Sequence, residues 1–247
     1  MPVKIEVKTR DAAIKDERNK LAERVLKVSA SQPPIDMRLL AFFDDEDAVF
    51  LKQIFGSENR GLFSPTADKS WVPWQRDKLI SEGCPKYLVD LLFTPDISLS
   101  INSCDREVLS FDGLIYLYGS TCINPTALVM TFAHELRHSY QFKCTPHLWC
   151  ENESLKGFRI LKPYRIPTER DARVVAKRVA EEVCGADAVS EYIRQKIFDA
   201  QQKKVTDELR DWRWIEECDS TKPYCLQSET DKARRKMKRF CNKQQIP

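Results

Sequence analysis

His134, Glu135 and His138 stand in the order His-Glu-x-x-His within the segment Thr131-Phe132-Ala133-His134-Glu135-Leu136-Arg137-His138-Ser139-Tyr140-Gln141-Phe142. On a helix, residues four apart share a face, so both imidazoles can reach one metal ion. A glutamate beside the first histidine can then act on a water at that ion, which is the chemistry of a zinc-dependent hydrolase. The chain has only three histidines, and this segment uses two of them. The plainer alternative is a pair of half-exposed, solvated histidines on an ordinary helix.

The flanking residues predict the helix that positions them. Asn124 can cap it, and Pro125 fits the first turn, where a missing N–H is harmless. Ala127, Leu128, Met130, Thr131, Phe132, Ala133, Leu136 and Tyr140 make it apolar almost all round, which predicts burial. Buried histidines need a partner for each ring nitrogen, whether a metal or a hydrogen bond.

A catalytic zinc needs a third protein ligand and an open fourth position. The segment from Arg165 to Ala176 supplies the candidate. Pro167 and Thr168 read as a helix start, with Thr168 as the cap and Glu169 in the first turn. Ala172 and Ala176 follow three and seven residues later, small enough to let this helix press on the first one. Glu169 is therefore the expected third ligand, with Asp171 the runner-up and Glu151 and Glu153 behind it. The competing reading of Glu169 is an acidic residue favoured by the helix dipole.

His134, Glu135, His138 and Glu169, with Asp171-Ala172 following, resemble the core of the zincin metallopeptidases of gluzincin type. In these, HExxH on one helix is completed by a glutamate on a later helix. The resemblance spans roughly residues 111–184. The longer pattern HExxHxxGxxH does not fit, because Gln141 replaces its glycine and Cys144 its third histidine. The resemblance implies Zn²⁺ held by His134, His138 and Glu169, with Glu135 as general base in peptide-bond hydrolysis. Tyr116, Tyr118, Tyr140, Tyr164 and His147 are all candidates to stabilise the oxyanion. Leu114 to Tyr118 reads as a strand, and in zincins a strand near the motif helix offers its edge to an extended substrate.

Length and composition frame the rest. At 247 residues with 42% hydrophobic and 31% charged residues, the chain can bury one large core. Seven glycines and many Lys, Glu, Arg and Ala favour helices. The expected fold is α+β, with a small, mostly antiparallel sheet packed on the HExxH helix. Residues 1–247 read as one metallopeptidase-like domain, with 1–30 a helical extension, 97–184 the metal-binding core, and 185–247 C-terminal helices and a basic tail. No apolar run approaches a membrane span, and the start lacks a signal-peptide core. A cytoplasmic protein is the expectation, with nine cysteines leaving an exported form open. Cys84, Cys104, Cys122 and Cys184 read as buried thiols. Cys144, His147 and Cys150, with Cys218 or Cys225, could form a second zinc site or contribute a disulfide.

The remaining segments are read coarsely. Helices are expected over 11–28, 45–55, 85–93, 187–203 and 205–217, a loop over 56–76 carrying Trp71 and Trp74, and strand or hairpin material over 97–118. Residues 143–166, with Trp149, Phe158 and Tyr164, form a long connection expected to wall the cleft. The helix from Thr168 should stop at Gly185. From Lys232 to Lys243 the chain carries Lys232, Arg234, Arg235, Lys236, Lys238, Arg239 and Lys243 without an acid. A solvated helix end explains such a run, and so does contact with nucleic acid. The alternative function is therefore a zincin-fold regulatory or binding protein whose basic tail contacts nucleic acid or a partner.

Overall fold

A computed structural model of the protein describes residues 3–9, 11–33, 36–44, 61–65, 112–118, 120–157 and 165–244. The fold is α+β and helix-rich, in line with the composition. It divides into two units, residues 1–20 with 35–124 and residues 21–34 with 125–247.

The first unit contains a four-stranded sheet. Its strands are β1 (Val3–Lys8), β2 (Leu39–Asp44), β3 (Gly61–Pro65) and β4 (Gly113–Tyr118), in the order β1-β2-β4-β3. β1 pairs with β2, and β2 with β4, in parallel, while β3 pairs with β4 antiparallel. The expectation of a mostly antiparallel sheet is thus corrected. Parallel neighbours need a crossover connection, and helix α1 (Ala12–Lys27) lies in the one between β1 and β2. Asp11 starts that helix, its carboxylate accepting hydrogen bonds from the backbone N–H of Ala13 at 2.8 Å and Ile14 at 3.3 Å.

β1 alternates Val3, Ile5 and Val7 with Lys4, Glu6 and Lys8, a two-residue period that buries Val3 and Val7. β2 instead buries Leu39, Leu40 and Ala41 in succession, as an inner parallel strand does. β3 corrects the loop expected over 56–76 at residues 61–65. The helices expected over 45–55 and 85–93, Trp71, Trp74, Cys84 and Cys104 lie outside the described residues. A short helix, α2 (Ser120–Ile123), follows β4.

The second unit is helical: α3 (Pro125–Cys144), α4 (Pro146–Gly157), α5 (Pro167–Cys184), α6 (Ala186–Gln202), α7 (Thr206–Glu217) and α8 (Leu226–Gln244). Leu128, Phe132, Ala133 and Leu136 of α3 are fully buried, as its apolar circumference requires. α5 packs along α3, and its Ala172, Ala176 and Ala180, spaced one turn apart, are buried. α4 is the element within the connection 143–166. Pro167 opens α5, but Thr168 is not its cap: Ile166 holds that place, and the buried Thr168 hydroxyl makes no hydrogen bond. Pro167 supplies the helical φ there without a polar cap. Gly185 ends α5 at φ 93°, a value that favours glycine, and its N–H donates to the Glu181 carbonyl at 3.1 Å. Lys177 donates from its buried Nζ to the carbonyls of Ile215, Glu216 and Cys218 at 3.0, 3.1 and 2.8 Å, closing the end of α7.

Gly113 shows how closely the sheet is packed. A Cβ there would lie 2.8 Å from the Phe63 ring and 3.1 Å from the Leu39 side chain. Gly113→Ala should therefore lower unfolding stability by about 1–3 kcal/mol, as overpacked cores do, read from the urea midpoint. An unchanged midpoint would mean that Phe63 yields freely.

Candidate metal centre

α3 and α5 bring three sequence-predicted residues together. His134, His138 and Glu169 form a group that could hold a metal ion, each offering one ligand atom within 4.8 Å of the others. Among the described residues it stands alone as such a group. His134 and His138 lie one turn apart on α3, as their spacing dictates. Their Nε2 atoms face each other at 2.9 Å. Two facing lone pairs repel, so this contact holds either one proton or one cation between the rings. The Glu169 carboxylate approaches from α5, with Oε2 at 3.4 Å from His134 Nε2 and Oε1 at 3.6 Å from His138 Nε2.

The hydrogen bonds behind His138 decide which of its nitrogens could serve as a ligand. Gln141 is fully buried, and its Nε2 donates to the Thr168 carbonyl at 2.9 Å and to Asp171 Oδ2 at 2.7 Å. A carbonyl and a carboxylate only accept, so the amide nitrogen must face them and Gln141 Oε1 must face away. That oxygen meets His138 Nδ1 at 2.8 Å, so Nδ1 carries the proton and donates. Neutral His138 therefore presents a lone pair from Nε2 toward His134 and Glu169. Metal-ligating histidines are commonly oriented through the opposite nitrogen in this way.

Asp171 anchors the relay. It is 1% exposed and takes Arg137 Nε at 2.6 Å and Arg137 Nη2 at 3.2 Å, a fork-to-fork ion pair. The sequence runner-up for third ligand is therefore the residue that holds Gln141. Glu151 is engaged elsewhere, its carboxylate gripped by Arg234 Nε at 2.6 Å and Nη2 at 2.5 Å. The side chain of Glu153 lies outside the described residues. Trp149 on α4 stands edge-on to His138 with ring centres 5.3 Å apart, an apolar wall on that side.

Glu135 follows His134 on α3 and is buried at 6% exposure. Of the oxyanion candidates, Tyr140 lies under the Arg137 guanidinium at 4.5 Å and His147 is exposed on α4. Tyr116 belongs to β4 in the other unit, and Tyr164 and the Tyr118 side chain lie outside the described residues. Cys144 and Cys225 are exposed free thiols and Cys218 a half-buried one, while the Cys150 side chain is not described. Cys122 is buried and Cys184 half-buried. Burial pushes the thiols of Cys184 and Cys218 up.

Sequence reading missed Gln141 and Arg137, whereas Trp149 belongs to the connection expected to wall the cleft. Both missed residues had a local signal, since Gln141 lies three residues after His138 and Arg137 three after His134, on the same helix face. No protein-family model, curated protein or solved structure matches this chain. No helix among the described residues is long and apolar enough to cross a membrane.

His134 is held at about 4, below the usual 6.5, first by burial and then by electrostatic coupling to the neighbouring His138. Glu169 opposes the shift, and Arg173, tied to Asp211 at 2.9 Å, adds to it. Between pH 6.5 and 4 the unfolded chain thus binds a proton that the folded chain refuses. Stability of the metal-free protein must fall as pH drops through that window and level off above it. Denaturant titrations at pH 7 and 4.5 should show wild type losing about 2 kcal/mol more than His134→Gln. Equal losses would place His134 in a solvated setting. Gln141→Leu should weaken metal affinity about 10–100-fold with all three ligands in place, measured by competition with a chromophoric chelator. Wild-type affinity in that variant would show that the relay does not orient His138.

Proposed function

We propose that the protein is a zinc-dependent peptidase in which His134, His138 and Glu169 bind the metal and Glu135 is the general base. The observation that carries this reading is the paired Nε2 atoms at 2.9 Å, with a carboxylate at 3.4 and 3.6 Å and the His138 lone pair directed inward. Zinc typically takes histidine nitrogen at about 2.0–2.1 Å and carboxylate oxygen at about 2.0–2.2 Å in tetrahedral sites, so a value of about 3.3 Å is expected between neighbouring ligand atoms. The observed separations fall on either side of that value. Two imidazoles and one carboxylate also leave room for a fourth ligand, the condition for catalysis.

Bound zinc supplies polarisation of a carbonyl and acidification of a water. The chain supplies the proton transfers. The Glu135 carboxylate accepts a proton from the attacking water and delivers it to the leaving amine nitrogen. Gln141 and Asp171 keep His138 in the tautomer that binds, so no rearrangement is needed during turnover. The carboxylate of Glu169 offsets the positive charge of the metal. A purely structural zinc would have no use for Glu135, and this supports a catalytic role. The choice of a peptide bond as substrate follows the gluzincin resemblance of residues 134–138 and 169–172.

Glu135→Gln removes the base and leaves the three ligands. In a peptide-library digestion read by mass spectrometry, the zinc-loaded variant should cleave at least about 100-fold more slowly than wild type. Its zinc content should be unchanged. Cleavage at the wild-type rate would contradict the assignment of Glu135.

A further inference from the structure

The strongest feature outside the metal centre is the outer face of α8. The protein has a net charge of +3, yet Lys232, Arg234, Arg235, Lys236, Lys238, Arg239 and Lys243 alone contribute seven positive charges, leaving a net −4 on the rest. The structure sorts this run into two parts. Arg234 is paired with Glu151 and Asp231, and Lys232 with Glu229, so those two serve the fold. Arg235, Lys236, Lys238 and Arg239 are exposed and make no ion pair or hydrogen bond with any described side chain.

α8 is docked by its opposite side. Leu226, Thr230 and Ala233 are buried, and Asn152 of α4 donates from Nδ2 to Thr230 Oγ1 at 3.0 Å. At 100° per residue, Arg235, Lys236, Lys238 and Arg239 span a contiguous arc opposite that seam. The fixed seam holds the four cations on one outward face.

Nothing among the described residues accounts for this arc. Like charges at positions 235 and 239, 235 and 238, and 236 and 239 each disfavour the helix by about 0.2–0.5 kcal/mol. The helix macrodipole favours cations only within the last turn, and residues 235–239 precede it, since α8 runs to Gln244. A polyanion outside the protein would relieve the repulsion. At 100° per residue, positions 237 and 240, the apolar ones in this stretch of α8, fall on the seam side with Leu226 and Ala233, so the arc of 235, 236, 238 and 239 carries no apolar residue. A membrane-surface helix needs an apolar face to insert, and a protein interface needs apolar anchors at its centre. Stacking on single-stranded bases needs aromatic side chains. A duplex phosphate backbone needs cations alone, and arginine is suited to its bidentate recognition.

We propose that the Arg235–Lys236–Lys238–Arg239 face of α8 binds the phosphate backbone of double-stranded nucleic acid without reading sequence. This does not depend on the metal centre, and the proof can use zinc-loaded Glu135→Gln protein.

The test is fluorescence anisotropy of a labelled 20-base-pair DNA duplex from 50 to 200 mM salt. Four phosphate contacts give a slope of log affinity against log salt of about −3.6, a loss of about 100-fold across that range. R235Q/K236Q/K238Q/R239Q should abolish binding, each single variant should flatten the slope by about 0.9, and K236R/K238R should bind like wild type. Circular dichroism and the melting midpoint verify that the quadruple variant keeps its helices. The proposal is overturned if wild type does not bind at 50 mM salt, or if the folded quadruple variant binds equally well. It is overturned too if phosphatidylserine vesicles or polyglutamate bind α8 and the duplex does not.

Discussion

The Gln141 side-chain amide is the contact on which the candidate metal centre depends. It is buried between α3 and α5, donates to Thr168 and Asp171, and accepts from His138. Because both of its acceptors are unable to donate, its orientation is determined, and so is the tautomer of His138. One amide thereby couples the register of two helices to the direction of a ring lone pair. A sliding of α5 along α3 would break both bonds to Asp171 and Thr168 and move Glu169 away from the imidazoles.

The surrounding packing serves that coupling. Ala172, Ala176 and Ala180 are buried along α5, which packs on α3, and small side chains there permit close backbone approach. Burial makes each polar group expensive unless paired. Arg137 and Asp171 meet this condition with a two-point ion pair, and Gln141 completes it on the inner side. The same burial keeps His134 neutral well below pH 6.5, so its ring is ready to bind a cation at neutral pH. Trp149 shields His138 from one side. The geometry of the group that could hold a metal is thus set by Gln141, Asp171 and Arg137 as much as by His134, His138 and Glu169 themselves.

Local signals in the sequence were sufficient for the helices of the site. The apolar circumference of 125–144, Pro167 and Gly185 each act within a few residues, and α3 and α5 lie where they place them. The spacing His134 to His138 fixed a shared face, and Glu169 followed from a helix start with small residues behind it. Thr168 misled because a hydroxyl before an acidic residue looks like a cap, whereas its side chain points into a buried setting without a hydrogen bond. The sheet was less legible. β1 has a plain two-residue alternation, but the parallel pairing of β2 with β4 joins residues more than seventy positions apart. No local pattern encodes such a pairing. Asp171 was visible as an acid near the site, but its bond to Arg137 depends on how α5 lies against α3, which no spacing within either helix gives.

The most direct test of the metal centre is zinc per chain, by elemental analysis of protein purified without chelator, for wild type and Glu169→Ala. One zinc per wild-type chain and sharply weaker binding in the variant are expected. No zinc in the wild type, even when offered at neutral pH, or one zinc held equally well without Glu169, would contradict a centre built from His134, His138 and Glu169.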